Sequence, residues 1–280
     1  MQTHATASLA AARSFLFVPA SRPERIAKAL SSGADVVVVD LEDAVPPADK
    51  DAARAHLAAW LAHHPGSALA VRINAAGTPW HEADLVLCRH PDVIGLMLPK
   101  AESAASVAAA HEASAATAVL PILETAAGLG AVDAIATAPG CARLVFGKLD
   151  LAVELDLVPD EDDAEELVFL PYRAMLALAS RRAGLPLPVD GVFTAIGDSA
   201  GLARYARRAR NHGFGALLLI HPAQVSTTRA AYAPSAAERA WAEAVLSAAA
   251  SAGGGAVQVE GRMVDAPVIA RAERIRAAAG

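Results

Sequence analysis

The chain of 280 residues predicts an α/β protein: a (β/α)8 TIM barrel with a C-terminal helical lid extension. Three observations point there. Short apolar runs, many β-branched, recur along the chain. They are continuous rather than alternating, as in parallel strands covered on both faces. Helix-like segments separate them, and eight such runs within about 210 residues suit a barrel of ordinary size.

The runs, in order, are SFLFVPA (14–20), DVVVVDLE (35–42), ALAVRIN (68–74), VIGLMLP (93–99), AVLPILE (118–124), RLVFG (143–147), LPVDGVF (187–193) and ALLLIHP (216–222). Each is strand-length and ends in Pro, Gly or a polar residue. Between them, PERIAKALSSG (23–33) opens with Pro and closes with Gly, which are helix start and stop signals. Segments 47–64, 102–114, 165–184 and 199–213 also read as helices, with Pro171 bending or restarting the fourth. An open doubly wound sheet is the competing arrangement. It often carries a Gly-rich phosphate turn after its first strand, and no GxGxxG follows FLFVPA.

The ends differ. Residues 1–12 are Ala-rich without a basic start, and they read as a disordered tail rather than a signal peptide. The barrel domain is expected over 13–252, although Ala fits either helix face and blurs periodicity. SAAERAWAEAVLSAAASAG (235–253) is a helix candidate, GGGAVQ (253–258) a flexible break, and 253–280 the lid segment.

Composition excludes several function classes. Net charge is −6, and the 24 basic residues are scattered rather than clustered. Aromatics are only 4% of the chain. Neither suits a nucleic-acid surface. No run of 18 uncharged apolar residues occurs, so no membrane span is expected. The two cysteines form neither a disulfide framework nor a CxxC site, which fits a cytoplasmic protein.

Polar residues end nearly every strand-like run: Asp40, Glu42 and Asp43; Arg72 and Asn74; Lys100; Glu124; Asp150; Asp190; His221. In a barrel these ends converge on one face, where active sites form. Carboxylates dominate, and no His pair has zinc-like spacing. Such oxygen ligands favour a hard cation, Mg2+ or alternatively Mn2+, acting on an oxyanionic substrate that Arg72 holds or polarises. Arg13, Arg22, Arg25 and Lys28 surround the first strand and helix start, where they could grip phosphates or simply form a solvated face.

The sequence resembles the citrate lyase β-subunit family of the HpcH/HpaI aldolase superfamily, which includes malyl-CoA and citramalyl-CoA lyases. RSFLFVPASRPERIAKAL, GADVVVVDLEDAVPPADKDAAR, VRIN, LPKAES, PILETAAGL, FGKLDLAVEL, GFGALLLIHPAQV and GRMVDAPVIARA carry the resemblance, in the family's order, over 13 to about 275. It implies a TIM barrel in a homotrimer or homohexamer. It implies Mg2+ ligands at Glu124 and Asp150, with Glu42 and Asp43 holding metal-bound waters. Arg72 would meet the substrate carbonyl and enolate oxygen. Arg22, Arg25 and Lys28 fall in the segment that meets coenzyme A. Asp265 matches the acid/base residue of the lid.

The implied reaction is cleavage of a 3-hydroxyacyl-CoA thioester to a 2-oxo acid and acetyl-CoA or a homologue. A citrate lyase β subunit acting on citryl-ACP, a malyl-CoA-type thioesterase and a non-catalytic binding protein are the alternatives. The sequence departs from the family in three places: Ala20 replaces a Gly, Ala216-Leu217 replaces a Gly-Lys pair, and Lys148 stands where a small residue is usual. Lys148 could bind a substrate carboxylate or weaken the metal.

Overall fold

The computed structural model describes residues 8–115, 117–158, 166–251, 257–259 and 261–278. Eight parallel strands close into a barrel in chain order. They are β1 (Ser14–Pro19), β2 (Val36–Asp40), β3 (Leu69–Arg72), β4 (Val93–Leu98), β5 (Ala118–Leu123), β6 (Val145–Phe146), β7 (Val189–Asp190) and β8 (Ala216–Leu219). Each lies within one of the eight expected runs. β1 closes the ring by pairing with β8 at Ser14–Leu217 through Leu16–Leu219. The doubly wound alternative is thereby excluded.

Every residue of β2 is buried, including Asp40. This is why VVVVD shows no alternation: both faces are covered, so neither needs polar residues. Inside the barrel, Phe15, Val36, Val38, Met97, Leu120, Ile122 and Val145 pack as one core.

Residues 8–12 depart from the expected tail. Residues 8–11 form a helical turn, and Leu9 and Ala12 join the barrel core. The buried Arg143 guanidinium donates from Nη1 to the carbonyls of Leu9 (2.9 Å) and Ala12 (2.8 Å), and from Nε to that of Leu187 (2.6 Å). Gly95 leaves room for the plug: a Cβ there would come within 3.0 Å of Leu9 Cδ1. The remainder of that tail, 1–7, lies outside the described residues.

The five expected helices form as Ile26–Leu30, Lys50–His63, Ala104–Ala113, Leu170–Arg182 and Ser199–Asn211. Pro171 sits in the first turn of its helix, where its missing N–H costs nothing. The sequence reading did not include His81–Leu87, Ala126–Gly130, Val132–Ala136, Lys148–Glu154 and Gln224–Tyr232. Among the described residues no helix is long and apolar enough to cross a membrane.

The chain divides into two compact units, Met1–Arg229 and Ala230–Gly280. The helix Ala236–Ser251, expected within the barrel domain, belongs to the second unit. Its Ala242 and Val245 pack on Ala272 and Ile275 of the helix Ala266–Ala277, an apolar seam that local periodicity does not reveal. A short antiparallel hairpin, β9 (Val257–Val259) and β10 (Arg262–Val264), adds Val264 to this core. Most of the expected flexible break, 252–256, lies outside the described residues.

Candidate active site

The site is built from the C-terminal ends of the strands. At the end of β2 the chain turns through Leu41–Val45, and Asp40 organises the turn. Its carboxylate accepts the backbone N–H groups of Glu42 (2.9 Å) and Ala44 (3.2 Å). From beneath, the buried Lys50 ammonium donates to the carbonyls of Leu41 and Glu42, both at 2.9 Å. The backbone bearing Glu42 and Asp43 is therefore held from two sides.

Arg72 ends β3. Its Nε and Nη2 grip both oxygens of Asp40 at 2.8 and 2.6 Å, a fork-to-carboxylate pair. Its Nη1 donates to Asp43 (3.1 Å), and the guanidinium lies 4.9 Å from the Phe17 ring centre. Glu42 Oε2 is 2.9 Å from Nη1 but off the N–H axis, so this buried oxygen has no hydrogen bond. Burial alone would lower the Arg72 pKa. The hydrogen bonds and charge of Asp40, then the charges of Glu42 and Asp43, instead hold it firmly protonated.

Glu124 follows β5 and is buried. Its Oε1 accepts the backbone N–H of Lys100 at 2.7 Å. Lys100 adopts a left-handed φ of 48°, a conformation that costs a non-glycine residue roughly 1–2 kcal/mol. Gly147, after β6, clears space beside this carboxylate: a Cβ there would sit 2.5 Å from Glu124 Cβ. Asp150 lies one turn on, in the helix Lys148–Glu154.

A cavity of about 190 Å3 opens among these groups. Asp43, Arg72, Glu124, Lys148 and Asp150 share its lining with Phe17, Phe146 and Gly191. Burial, with smaller contributions from neighbouring acids, outweighs Arg72 and pushes Glu42 up to about 8. Burial also pushes Glu124 up to about 7; the Lys100 N–H opposes this and Asp150 adds to it. A cation in this cavity would offset the burial that makes Glu124 resist ionisation. Glu124 and Asp150 offer hard oxygens, while among the described residues no three His, Cys, Asp or Glu side chains form a metal cage. This donor set fits Mg2+, which keeps several waters and takes one or two carboxylates.

Lys148 lines the same cavity. It is buried, its ammonium donates to Glu166 (2.6 Å), and it lies 4.5 Å from the Tyr205 ring centre. Glu166 Oε2 also accepts from Arg173 (2.7 Å) and Arg208 (3.0 Å), and Arg173 pairs with the buried Asp190. Burial lowers the Lys148 pKa, with Glu166 opposing.

The structure thus brings together Arg72, Asp43, Glu124, Asp150 and Lys148, with Glu42 beside Arg72. Arg22, Arg25 and Lys28 lie after β1, exposed and outside the cavity lining. Arg13 requires correction as a substrate contact. It precedes β1, whose length of about 20 Å separates it from the strand ends forming the site. Its backbone N–H donates to Asp35. Asp190 and Asn74 are also structural, bonded to Arg173 and Asp84. Asp265 belongs to the second unit and caps the helix Ala266–Ala277, accepting the Val268 N–H at 3.3 Å. Sequence reasoning missed Lys50, the Lys100 backbone and Glu166. Only Glu166 left a trace, at the end of the acidic run DEDDAEE.

Fold and site together define a (β/α)8 barrel with a carboxylate-rich mouth at its strand C-termini, where barrel active sites form. The chain belongs to the HpcH/HpaI aldolase/citrate lyase family, whose profile matches residues 13–222. A citrate lyase subunit beta-like protein of Mycobacterium tuberculosis is 40% identical over 273 residues, 97% of each chain. A (3S)-malyl-CoA thioesterase of Cereibacter sphaeroides is 33% identical over 258 residues, 90% of this chain and 89% of the relative. The crystal structure of CitE from M. tuberculosis, in complex with magnesium, acetoacetate and coenzyme A, matches with a TM-score of 0.86 at 39% identity. That match covers 96% of this chain and 98% of CitE.

Proposed function

We propose that the protein is a Mg2+-dependent carbon–carbon lyase. Its substrate is a 3-hydroxyacyl-CoA thioester of the citramalyl-CoA or malyl-CoA type, and its products are a 2-oxo acid and acetyl-CoA or a homologue. The observation that carries this reading is the meeting of Glu124, Asp150 and Arg72 at one cavity. The magnesium and coenzyme A in the CitE complex support it.

Glu124 and Asp150 would hold the ion, with Glu42 and Asp43 orienting its waters. Bound there, Mg2+ supplies Lewis acidity toward the substrate hydroxyl and adjacent carboxylate. Arg72 stabilises the oxygen on which enolate charge develops. Three of its five N–H groups bond Asp40 and Asp43, leaving two for that oxygen. One such preorganised contact is worth about 3–4 kcal/mol in the barrier. Asp265 returns a proton to the enolate carbon. Arg22, Arg25 and Lys28 take the coenzyme A phosphates, and the assembly is a homotrimer or homohexamer.

The test is a panel of malyl-, citramalyl- and citryl-CoA, with and without EDTA, scored for 2-oxo acid. Mg2+-dependent release is expected. Its absence with folded, Mg2+-supplemented protein would refute the lyase reading.

Thioester hydrolysis is a second reading. The thioesterase relative favours it. Hydrolysis releases free coenzyme A with the hydroxy acid intact, whereas lysis leaves the acetyl thioester. A thiol assay alongside the 2-oxo acid assay separates them.

A further inference from the structure

Glu124 and Asp150 belong to separate segments of chain, and those segments are tied on both sides of the two carboxylates. Below them, the Gly147 N–H donates to the Leu123 carbonyl at 3.1 Å, continuing the pairing of β5 with β6. Beyond them, the Ala126 N–H donates to Glu154 Oε1 at 2.7 Å. The two bonds close a ring of chain, with Glu124 in one arm and Asp150 in the other. The first tie is backbone alone; the second depends on one side chain. The helix Lys148–Glu154 has only 7 residues and buries only Lys148 and Leu151. A helix so short is marginal by itself, and its direction is set by what holds its ends. Lys148 is held at the start by Glu166, and Glu154 is the last residue. A carboxylate in a last turn is repelled by the helix's own terminal carbonyls. Here it serves the neighbouring helix Ala126–Gly130, whose first N–H has no acceptor within that helix. Thr125 caps the same helix but takes the Gly128 N–H, leaving Ala126 to Glu154. The Ala126–Glu154 bond is exposed, so it adds little to overall stability, and its consequence is local.

Building on the Mg2+ site of the lyase reading, we infer that Glu154 is a positioning residue: by closing this ring it fixes the separation of Glu124 and Asp150 and matches the pair to a small divalent ion. Mg2+ demands near-ideal octahedral geometry, whereas Ca2+ is larger and accepts irregular shells. Without the Glu154 tie, the helix bearing Asp150 is free to pivot about Gly147. Loosening the pair costs Mg2+ more than Ca2+, so the tie sets selectivity as well as affinity.

The test titrates the full chain with MgCl2 and, separately, CaCl2 by calorimetry, for the wild type, Glu154→Ala and Glu154→Gln. Melting temperatures in EDTA are measured in parallel. Glu154→Ala should weaken Mg2+ about tenfold, the scale seen when a group supporting a metal ligand is lost. Ca2+ should weaken less, so the ratio of the two affinities shifts toward Ca2+, while the melting temperature stays close to that of the wild type. Glu154→Gln keeps an oxygen that accepts the Ala126 N–H, and it should retain most of the Mg2+ affinity and of the ratio. A ratio unchanged in Glu154→Ala overturns the inference, whatever the melting temperature does. So does a Glu154→Gln as impaired as Glu154→Ala, because charge rather than the tie would then be at work. In either case a wild type that binds Mg2+ leaves the lyase reading standing. A folded wild type that binds no Mg2+ would remove the metal site of that reading, and this inference with it.

Discussion

Arg72 and Asp40 meet in a two-pronged bond of 2.8 and 2.6 Å, and the same carboxylate also caps the turn carrying Glu42 and Asp43. One side chain thus sets both the plane of the guanidinium and the path of the acidic loop. Asp40→Ala should cost roughly 3–5 kcal/mol of stability, because it leaves a buried guanidinium with weaker partners. Asp40→Asn keeps most of the turn but loses the charged fork. Its melting temperature should fall less, while kcat drops on the order of a hundredfold. Equal activity loss and stability loss in the two variants would argue against an orienting role.

Arg72→Lys keeps the charge and loses the planar fork. Cleavage should slow by about 10²–10³-fold while KM changes less, as expected for a contact that strengthens in the transition state. A variant altered only in KM would place Arg72 in ground-state binding.

The raised carboxyls predict a pH signature. Glu124 and Glu42 have ordinary values of 4.5 and are pushed up to about 7 and about 8. Between those limits the folded, metal-free protein keeps protons that the unfolded chain has released. Their stabilisation is complete below about 4.5 and is lost as pH rises through 7 and 8. The melting temperature in EDTA should therefore fall from pH 6 to pH 8.5, with a shallower fall in Glu42→Gln. Mg2+ competes with the Glu124 proton. Its affinity should rise about tenfold per pH unit below 7 and level off above it. Calorimetry at pH 6 and pH 8 checks this, and a flat affinity would remove Glu124 from the ligand set.

Gly147 has φ −96°, which Ala adopts freely, so the effect of a methyl there is purely spatial. Gly147→Ala would press on Glu124, costing about 1–3 kcal/mol by overpacking. Mg2+ affinity should fall more than tenfold in a protein that still folds. Unchanged affinity would mean that the carboxylate can relocate without consequence.

Asp265 has a structural duty as a helix cap, which Asn performs equally well. Asp265→Asn should leave the melting temperature within a degree or two while proton return to the enolate fails. Solvent deuterium incorporation into acetyl-CoA, in the presence of the enzyme, reports that step. Full exchange in the variant would remove Asp265 from acid/base chemistry.

The strands were legible because continuous apolar runs have few other uses, and VVVVD could hardly be anything but a two-sided buried strand. The carboxylates and arginine at the strand ends followed from that reading plus the rule that parallel strands share one functional face. Direction is what misplaced Arg13: proximity to β1 suggested the site, but a residue before a strand lies on the opposite face. Leu9 was hidden in an Ala-rich stretch whose packing partner, Gly95, is remote in sequence. The short helices at 81–87 and 126–136 carry too few apolar positions to show a period. Lys148–Glu166 and Asp40–Arg72 are long-range bonds, and no local pattern encodes a partner 18 or 32 residues away.

The Arg143 clamp also bears on how the chain comes to fold. The carbonyls it gathers belong to Leu9 and Ala12, 134 and 131 residues earlier. During synthesis the first strands emerge with their base open, and Leu9 has no cation to fix its turn until half the polypeptide has been made. Closing so long a loop is entropically costly and slow. Sequence separation thus makes the Leu9 turn one of the late contacts of the barrel floor.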